Sequence, residues 1–321
     1  MSTNAPSPIP ARVLTITHNP VVPGERGRKL HEVLRWNDPD ELARRYVDDV
    51  RAASHGLVQY EIVARREANG FPAKQDGFAY TVDSYLASWR ARSGFHHPDA
   101  VDYHRLLAEF DVIPQINSGA IDEVWLFGFP YAGYYESIMA GPGAFWCNAP
   151  PLGAPGPLSY RGLTPPPPAN RRFVVMGFNY ERGVGEMLED LGHRAESIMA
   201  KVYEGVRGEA NLWERFTRYD QKHPGRAECG NVHFAPSSLR DYDWGNRRPV
   251  LSRCDDWNNF PDFKGAVRTV DCRDWGNGDI RLHHLWWFRH FPHLAGATGG
   301  RLHNWWEYVI RVGSEAMEKF V

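Results

Sequence analysis

The chain of 321 residues is long enough to bury a large core and to hold one large or two ordinary domains. Its 37 basic and 39 acidic residues nearly cancel, and neither sign forms a long run, which excludes the electrostatic footprint of a nucleic-acid or anionic-membrane binder. No apolar stretch approaches the roughly 20 residues needed to span a bilayer, so no membrane partner is expected. Residues 1–12, rich in Ser, Pro and Asn, lack the apolar core of a signal peptide; the expected address is cytoplasmic, or secreted had a leader been trimmed. Cys147, Cys229, Cys254 and Cys272 form no CxxC pair, which excludes zinc-finger chemistry. Cys254 and Cys272 could bridge a loop-rich region in an oxidising compartment, and their disulfide state stays open.

Residues 1–11 read as a disordered tail. Arg12–Thr17 then reads as a short apolar strand, and Asp38-Pro39-Asp40-Glu41 opens a helix with an N-cap acid, a proline at the first position and a capping-box glutamate. Leu42, Tyr46, Val50 and Ala53 supply its buried stripe and Gly56 ends it. Leu57–Val63 alternates as a second strand, His97–Glu109 is helical, and the continuous apolar run Glu123–Phe129 fits a buried strand. This alternation over 12–148 predicts an α/β fold with a largely parallel sheet and flanking helices. Residues 149–170 are rich in proline and are either a domain linker or a long surface loop. In the remaining half, 171–321, Arg172–Phe178 resumes as a strand, a long helix follows from about Val184 to Tyr203, and another is expected over Glu209–Tyr219.

Beyond Tyr219 regular periodicity gives way to a loop-rich, Trp-rich region; eight of the twelve tryptophans lie past residue 210. Asp243-Trp244-Gly245-Asn246, Asp256-Trp257-Asn258-Asn259 and Asp274-Trp275-Gly276-Asn277 repeat a D-W-[GN]-N pattern at uneven spacing, which excludes a solenoid. Such residues build tight turns that satisfy their own backbone. The competing expectation makes Trp244, Trp257 and Trp275 substrate-binding platforms beside polar groups.

The helix after Gly183 carries the chemistry. At about 100° per residue, Glu186, Glu189, Asp190, His193 and Glu196 share roughly a third of its circumference, while Met187, Leu188, Leu191, Ala195, Ile198, Met199 and Val202 form the packing stripe. Acids in a first helical turn also complement the helix dipole, but that does not account for His193 between Glu189 and Glu196, each within side-chain reach. Glu189 and Glu196, seven residues and about 10 Å apart along the axis, do not readily share one ion. A further ligand must come from elsewhere, and His233 in Cys229–Phe234 is the first choice, with His223, His283 and His284 as options.

Glu189-Asp190-Leu191-Gly192-His193 resembles the HELGH form of the zincin metallopeptidase helix, with glutamate at the first ligand position and aspartate at the acid position. The resemblance covers one helix. It implies zinc as the divalent metal, Glu189 and His193 as ligands, and Asp190 as general base. Glu186 and Glu196 complete the set of catalytic carboxylates. The expected function is metal-assisted hydrolysis of a peptide or glycan-like substrate. Two alternatives stand beside it: a metal-independent glycoside hydrolase using paired carboxylates, and a non-catalytic carbohydrate-binding or interaction protein using the tryptophans.

Overall fold

A computed structural model describes residues 6–321. The elements run β1 (Ile9–His18), α1 (Leu30–Leu34), α2 (Pro39–Ala53), β2 (Val58–Ala68), α3 (Val82–Ala91), α4 (Tyr103–Glu109), α5 (Val112–Ser118), β3 (Glu123–Gly128), β4 (Ser137–Ala140), β5 (Phe173–Asn179), α6 (Val184–Val202) and α7 (Leu212–Phe216), and later α8 (Ile280–Arg289). Among the smaller later elements are the hairpins Val250–Ser252 with Arg268–Val270 and His293–Thr298 with Arg301–Asn304. The five-stranded sheet has the order β2-β1-β3-β5-β4. β1, β3 and β5 pair in parallel, in the register Leu14–Val124 and Val124–Val175, and β4 pairs antiparallel on the edge, Ile138 opposite Val175. The protein is therefore α/β with a mostly parallel sheet, flanking helices and an aromatic-rich C-terminal part.

The strands form where apolar residues run without interruption, because a central strand is covered on both faces. Every residue of β3 is buried. Val124 and Leu126 join Leu14, Ile16, Val175 and the inner faces of α4 and α5 (Leu106, Leu107, Val112, Ile113 and Ile116) in one cluster. Trp125 and Phe127 project to the opposite face, as the two-residue period requires, and Trp125 meets Tyr60 edge-on at 4.9 Å. α2 begins as its sequence dictates: Asp38 Oδ1 accepts from the backbone N–H groups of Asp40 (2.8 Å) and Glu41 (3.2 Å).

Several boundaries differ from expectation. β1 starts at Ile9, so the expected tail overruns it by three residues; the tail's residues 1–5 lie outside the described residues. Of the helix expected over 97–109 only Tyr103–Glu109 forms, because Asp102 accepts from Arg105 N at 3.1 Å and caps it late. The helix expected over 209–219 contracts to Leu212–Phe216, again behind a side-chain cap, Asn211 to Glu214 N at 3.0 Å. Helices α3 and α5 and strand β4 were not among the expected elements. They are short, and α3 buries only Tyr85 and Leu86, too little for a periodic stripe.

The chain divides into two compact units, but not at the proline-rich segment. One comprises residues 11–45 and 60–183 and includes all of 149–170, which wraps over two cavities of about 470 and 520 Å³. The other comprises, among the described residues, 6–10, 46–59 and 184–321. All residues of the acidic helix and its surroundings belong to this second unit.

Candidate metal centre

Helix α6 buries the apolar stripe read from its sequence: Met187, Leu188, Leu191, Ala195, Ile198, Met199 and Val202 are all inaccessible. Two glycines let its other sides be approached closely. A Cβ on Gly185 would lie 2.5 Å from Ile280 Cγ2, so the start of α8 sits directly against α6. A Cβ on Gly192 would lie 2.6 Å from Val232 Cγ2, so the segment preceding His233 rests on the helix beside His193. Sequence proximity does not bring His233 to His193; the missing side chain at Gly192 does.

The segment 230–234 is held in one conformation. Gly230 has φ +74°, and a side chain there would meet Phe234 O at 2.1 Å. Asn231 Oδ1 accepts from His233 N (3.1 Å) and Phe234 N (2.9 Å), Gly230 O accepts from Trp287 Nε1 (2.9 Å), and Glu196 Oε1 accepts from Val232 N (3.3 Å).

Glu189, His193 and His233 converge at this point, each offering a ligand atom within 4.8 Å of the others. His233 Nε2 lies 3.1 Å from His193 Nε2 and 3.2 Å from Glu189 Oε1, and His193 Nε2 lies 4.0 Å from Glu189 Oε1. Ligands about 2.0–2.1 Å from a tetrahedral ion are spaced by about 3.3 Å, so two of the three separations already match and the third closes with a small carboxylate movement. Each imidazole is oriented from behind. His193 Nδ1 donates to Glu196 Oε2 at 3.1 Å, and His233 Nδ1 donates to Asp241 Oδ1 at 3.0 Å. A carboxylate on Nδ1 turns Nε2 toward the centre and raises its basicity, the support that metal-ligating histidines ordinarily have.

The charges agree with this geometry. With Nδ1 of both rings protonated toward carboxylates, the 3.1 Å Nε2–Nε2 contact needs one further proton. The hydrogen bond to Glu189 raises the pKa of His233, against the opposing pull of burial and with help from Asp241. Burial would raise the pKa of Glu189, but hydrogen bonds from His233 and Tyr242 and the nearby His284 and His193 leave it lowered.

Tyr242 and Asp241 are participants that the sequence reading missed. The Tyr242 hydroxyl lies 3.0 Å from His233 Nε2, its ring is 52% exposed, and its φ of +56° is a left-handed conformation that bulky residues seldom adopt. The only signal for them in the sequence is proximity to His233. Glu196 is not a free catalytic carboxylate, since its two oxygens serve His193 and Val232. Glu186 is partly exposed on the same helix, whereas Asp190 is 8% exposed on the side that carries the fully buried Arg194.

The tryptophan platforms are corrected by the structure. Trp244, Trp257 and Trp275 are 6%, 3% and 1% exposed, and their indole N–H groups point inward, to Val232 O (3.2 Å), Glu228 Oε2 (2.7 Å) and Trp244 O (2.7 Å). None forms a substrate wall; Trp244 packs behind the centre, edge-on to Tyr242 at 5.2 Å. The repeated motif makes turns, with Asn246 Nδ2 donating to Asp243 Oδ2 (2.7 Å) and Asn259 Nδ2 to Asp256 Oδ1 (3.0 Å). All four cysteines are buried free thiols, Cys254 and Cys272 included. Cys254, Asp255 and His290 form a second close group, but Asp255 is already paired with Arg268 and burial pushes the Cys254 thiol up to about 12, which opposes ion binding there.

Comparison with known protein families, characterised proteins and solved structures finds no match.

Proposed function

We propose that this chain is a divalent-metal-dependent hydrolase with Glu189, His193 and His233 as ligands. The observation that carries the reading is the pair of imidazoles whose Nε2 atoms stand 3.1 Å apart while carboxylates hold both Nδ1 atoms. Two rings oriented in this way from behind are poised to share one cation, and the donor set of two nitrogens and one carboxylate oxygen suits zinc. The ion, when bound, supplies Lewis acidity toward a substrate carbonyl or similar group.

The protein groups divide the remaining work. Glu196 and Asp241 orient the ligands. Glu186 is the accessible carboxylate on the same face and the better candidate for general base; Asp190, assigned that role by the zincin resemblance, is buried beside Arg194's side of the helix. Tyr242 stands on the solvent side with its hydroxyl directed at the centre, where it can donate to an oxygen of the substrate. A peptide-like substrate is favoured over a glycan, because the buried tryptophans remove the stacking surface. The paired-carboxylate glycosidase loses support as well, with Glu196 committed to His193 and Val232.

The experiment is elemental analysis of the purified protein and of His193→Ala, followed by a peptidase assay across a panel of peptides. One equivalent of zinc retained by the parent and lost in the variant, together with chelator-sensitive cleavage, is the expected result. Absence of stoichiometric metal in protein purified and reloaded without chelator would overturn the reading.

A further inference from the structure

Helix α8 packs along α6 and carries His284. Ile280, the first residue of α8, rests on Gly185 of α6, the two helices are in contact, and about two turns further on Trp287 Nε1 donates to Gly230 O in the segment that carries His233. His284 lies between these two anchors. It follows Ile280 by four residues, and so projects from the same face of α8, one turn further on. Glu189 follows Gly185 by the same interval on α6.

The ring is buried and its tautomer is set. His284 is completely inaccessible, and Nδ1 lies 2.7 Å from Ile280 O, a pure acceptor, so Nδ1 carries the proton and Nε2 the lone pair. That Nε2 has no hydrogen-bond partner among the described residues. Leaving such an atom buried and unpaired is costly, of the order of 1–3 kcal/mol, unless something else engages it. Charged groups that act on the ring are Glu189, His193 and Glu196, the same side chains that form and orient the centre. Trp244 closes the other side, its ring edge-on at 5.4 Å.

We propose that His284 Nε2 is the fourth protein ligand of the ion held by Glu189, His193 and His233, an inference that rests on the metal reading above. The full set is then one carboxylate and three imidazoles. It selects borderline ions such as zinc, cobalt and nickel over magnesium and calcium, which require mostly oxygen donors. These four side chains would hold the ion, and the exposed Tyr242 would be the group on the side open to a substrate.

The test uses Co²⁺ as a spectroscopic probe on the full chain, with affinity from chelator competition and coordination number from the visible absorption. The parent is expected to bind one Co²⁺, His193→Ala to lose it, and His284→Ala, or His284→Gln should the alanine variant not fold, to bind at least about 100-fold more weakly with an altered spectrum; even orienting residues behind a ligand are worth 10–100-fold. A His284 variant that matches the parent in affinity and spectrum, while His193→Ala does not bind, overturns this inference alone. Failure of the parent to bind Co²⁺ or Zn²⁺ overturns the underlying reading and this one together. Nitrogen-15 NMR of the unmutated chain is independent of folding effects: Zn²⁺ should shift His284 Nε2 as it shifts Nε2 of His193 and His233, and an unmoved His284 resonance beside two shifted ones contradicts the assignment.

Discussion

The two compact units treat their buried polar groups differently. In the sheet-bearing unit the buried Lys74 ammonium donates to Asp99 O, Asp99 Oδ1 and Tyr131 O at 2.6–2.7 Å, a complete set that only ties loops together. In the unit built on α6, buried nitrogens of His283, His284 and Trp306 lack partners among the described residues, and three more ionisable groups crowd within 4.8 Å of one another. A fold assembled for stability satisfies its buried donors and acceptors. The proposed metal reading takes the cluster of Glu189, His193 and His233 as the place in this unit where a ligand would complete such groups.

The largest effect that bears on this contrast comes from the ligands themselves. His193→Ala and His233→Ala should each abolish metal retention and hydrolysis while leaving circular dichroism and sheet stability nearly unchanged, because both side chains are only partly buried. Collapse of the fold in both variants would make them core residues, and the contrast between the units would vanish.

Next in size is the tryptophan core. Trp257→Ala should cost about 3–5 kcal/mol in urea unfolding, since it empties a packed site and strips a buried hydrogen bond from Glu228. Metal affinity per folded molecule should stay within about twofold of the parent, well inside the tenfold that 1.4 kcal/mol represents. A folded Trp257→Ala with selectively weakened substrate binding would return the indole to the site.

The pH dependence separates the units further. Burial lowers His18, in the sheet-bearing unit, to about 4, well under the 6.5 of an exposed histidine. Between those values the unfolded chain binds a proton that the native chain refuses, so stability falls as the pH drops from about 6.5 to 4, by up to roughly 3 kcal/mol. His18→Gln should flatten that slope in denaturation series at pH 7 and 5; an unchanged slope would assign it to other groups. At the centre the sign is reversed, because the pKa of His233 is raised. Its pairing with Glu189 stabilises the metal-free fold below about 6.5 and is lost as the pH rises through the raised value, where ion binding becomes correspondingly stronger and releases fewer protons.

The smallest expected change is the most local. Gly192→Ala should push Val232 away by several tenths of an ångström, costing about 1–3 kcal/mol as overpacking and weakening the ion more than the fold by displacing His233. Equal metal affinity in Gly192→Ala and the parent, measured by competition, would show that the approach at Gly192 does not set the ligand geometry.

How much of this was legible in the sequence depends on whether a pattern is local. Helix α6 was readable almost to the residue because its apolar stripe repeats over five turns, and β3 because six buried residues follow one another. Glu189 and His193 face the same way for the same reason. His233 could be nominated as a partner from its position after the helices, but its placement depends on Gly192, Gly230 and the Asn231 turn acting together, and no periodicity encodes that. Tyr242 and Asp241 enter through a left-handed backbone turn that looks like any other polar loop in sequence. The tryptophans misled because Asp and Asn flanking an aromatic ring specify a turn equally well whether the ring faces inward or outward; only the acceptors at Val232, Glu228 and Trp244 decide it.

The central claim, one ion shared by Glu189, His193 and His233, is tested most directly by anomalous scattering from crystals of the zinc-loaded protein, measured on both sides of the zinc absorption edge. The account predicts a single dominant anomalous peak about 2.0–2.1 Å from His193 Nε2, His233 Nε2 and a Glu189 carboxylate oxygen. Zinc-loaded crystals with these three side chains ordered and no peak between them would contradict it.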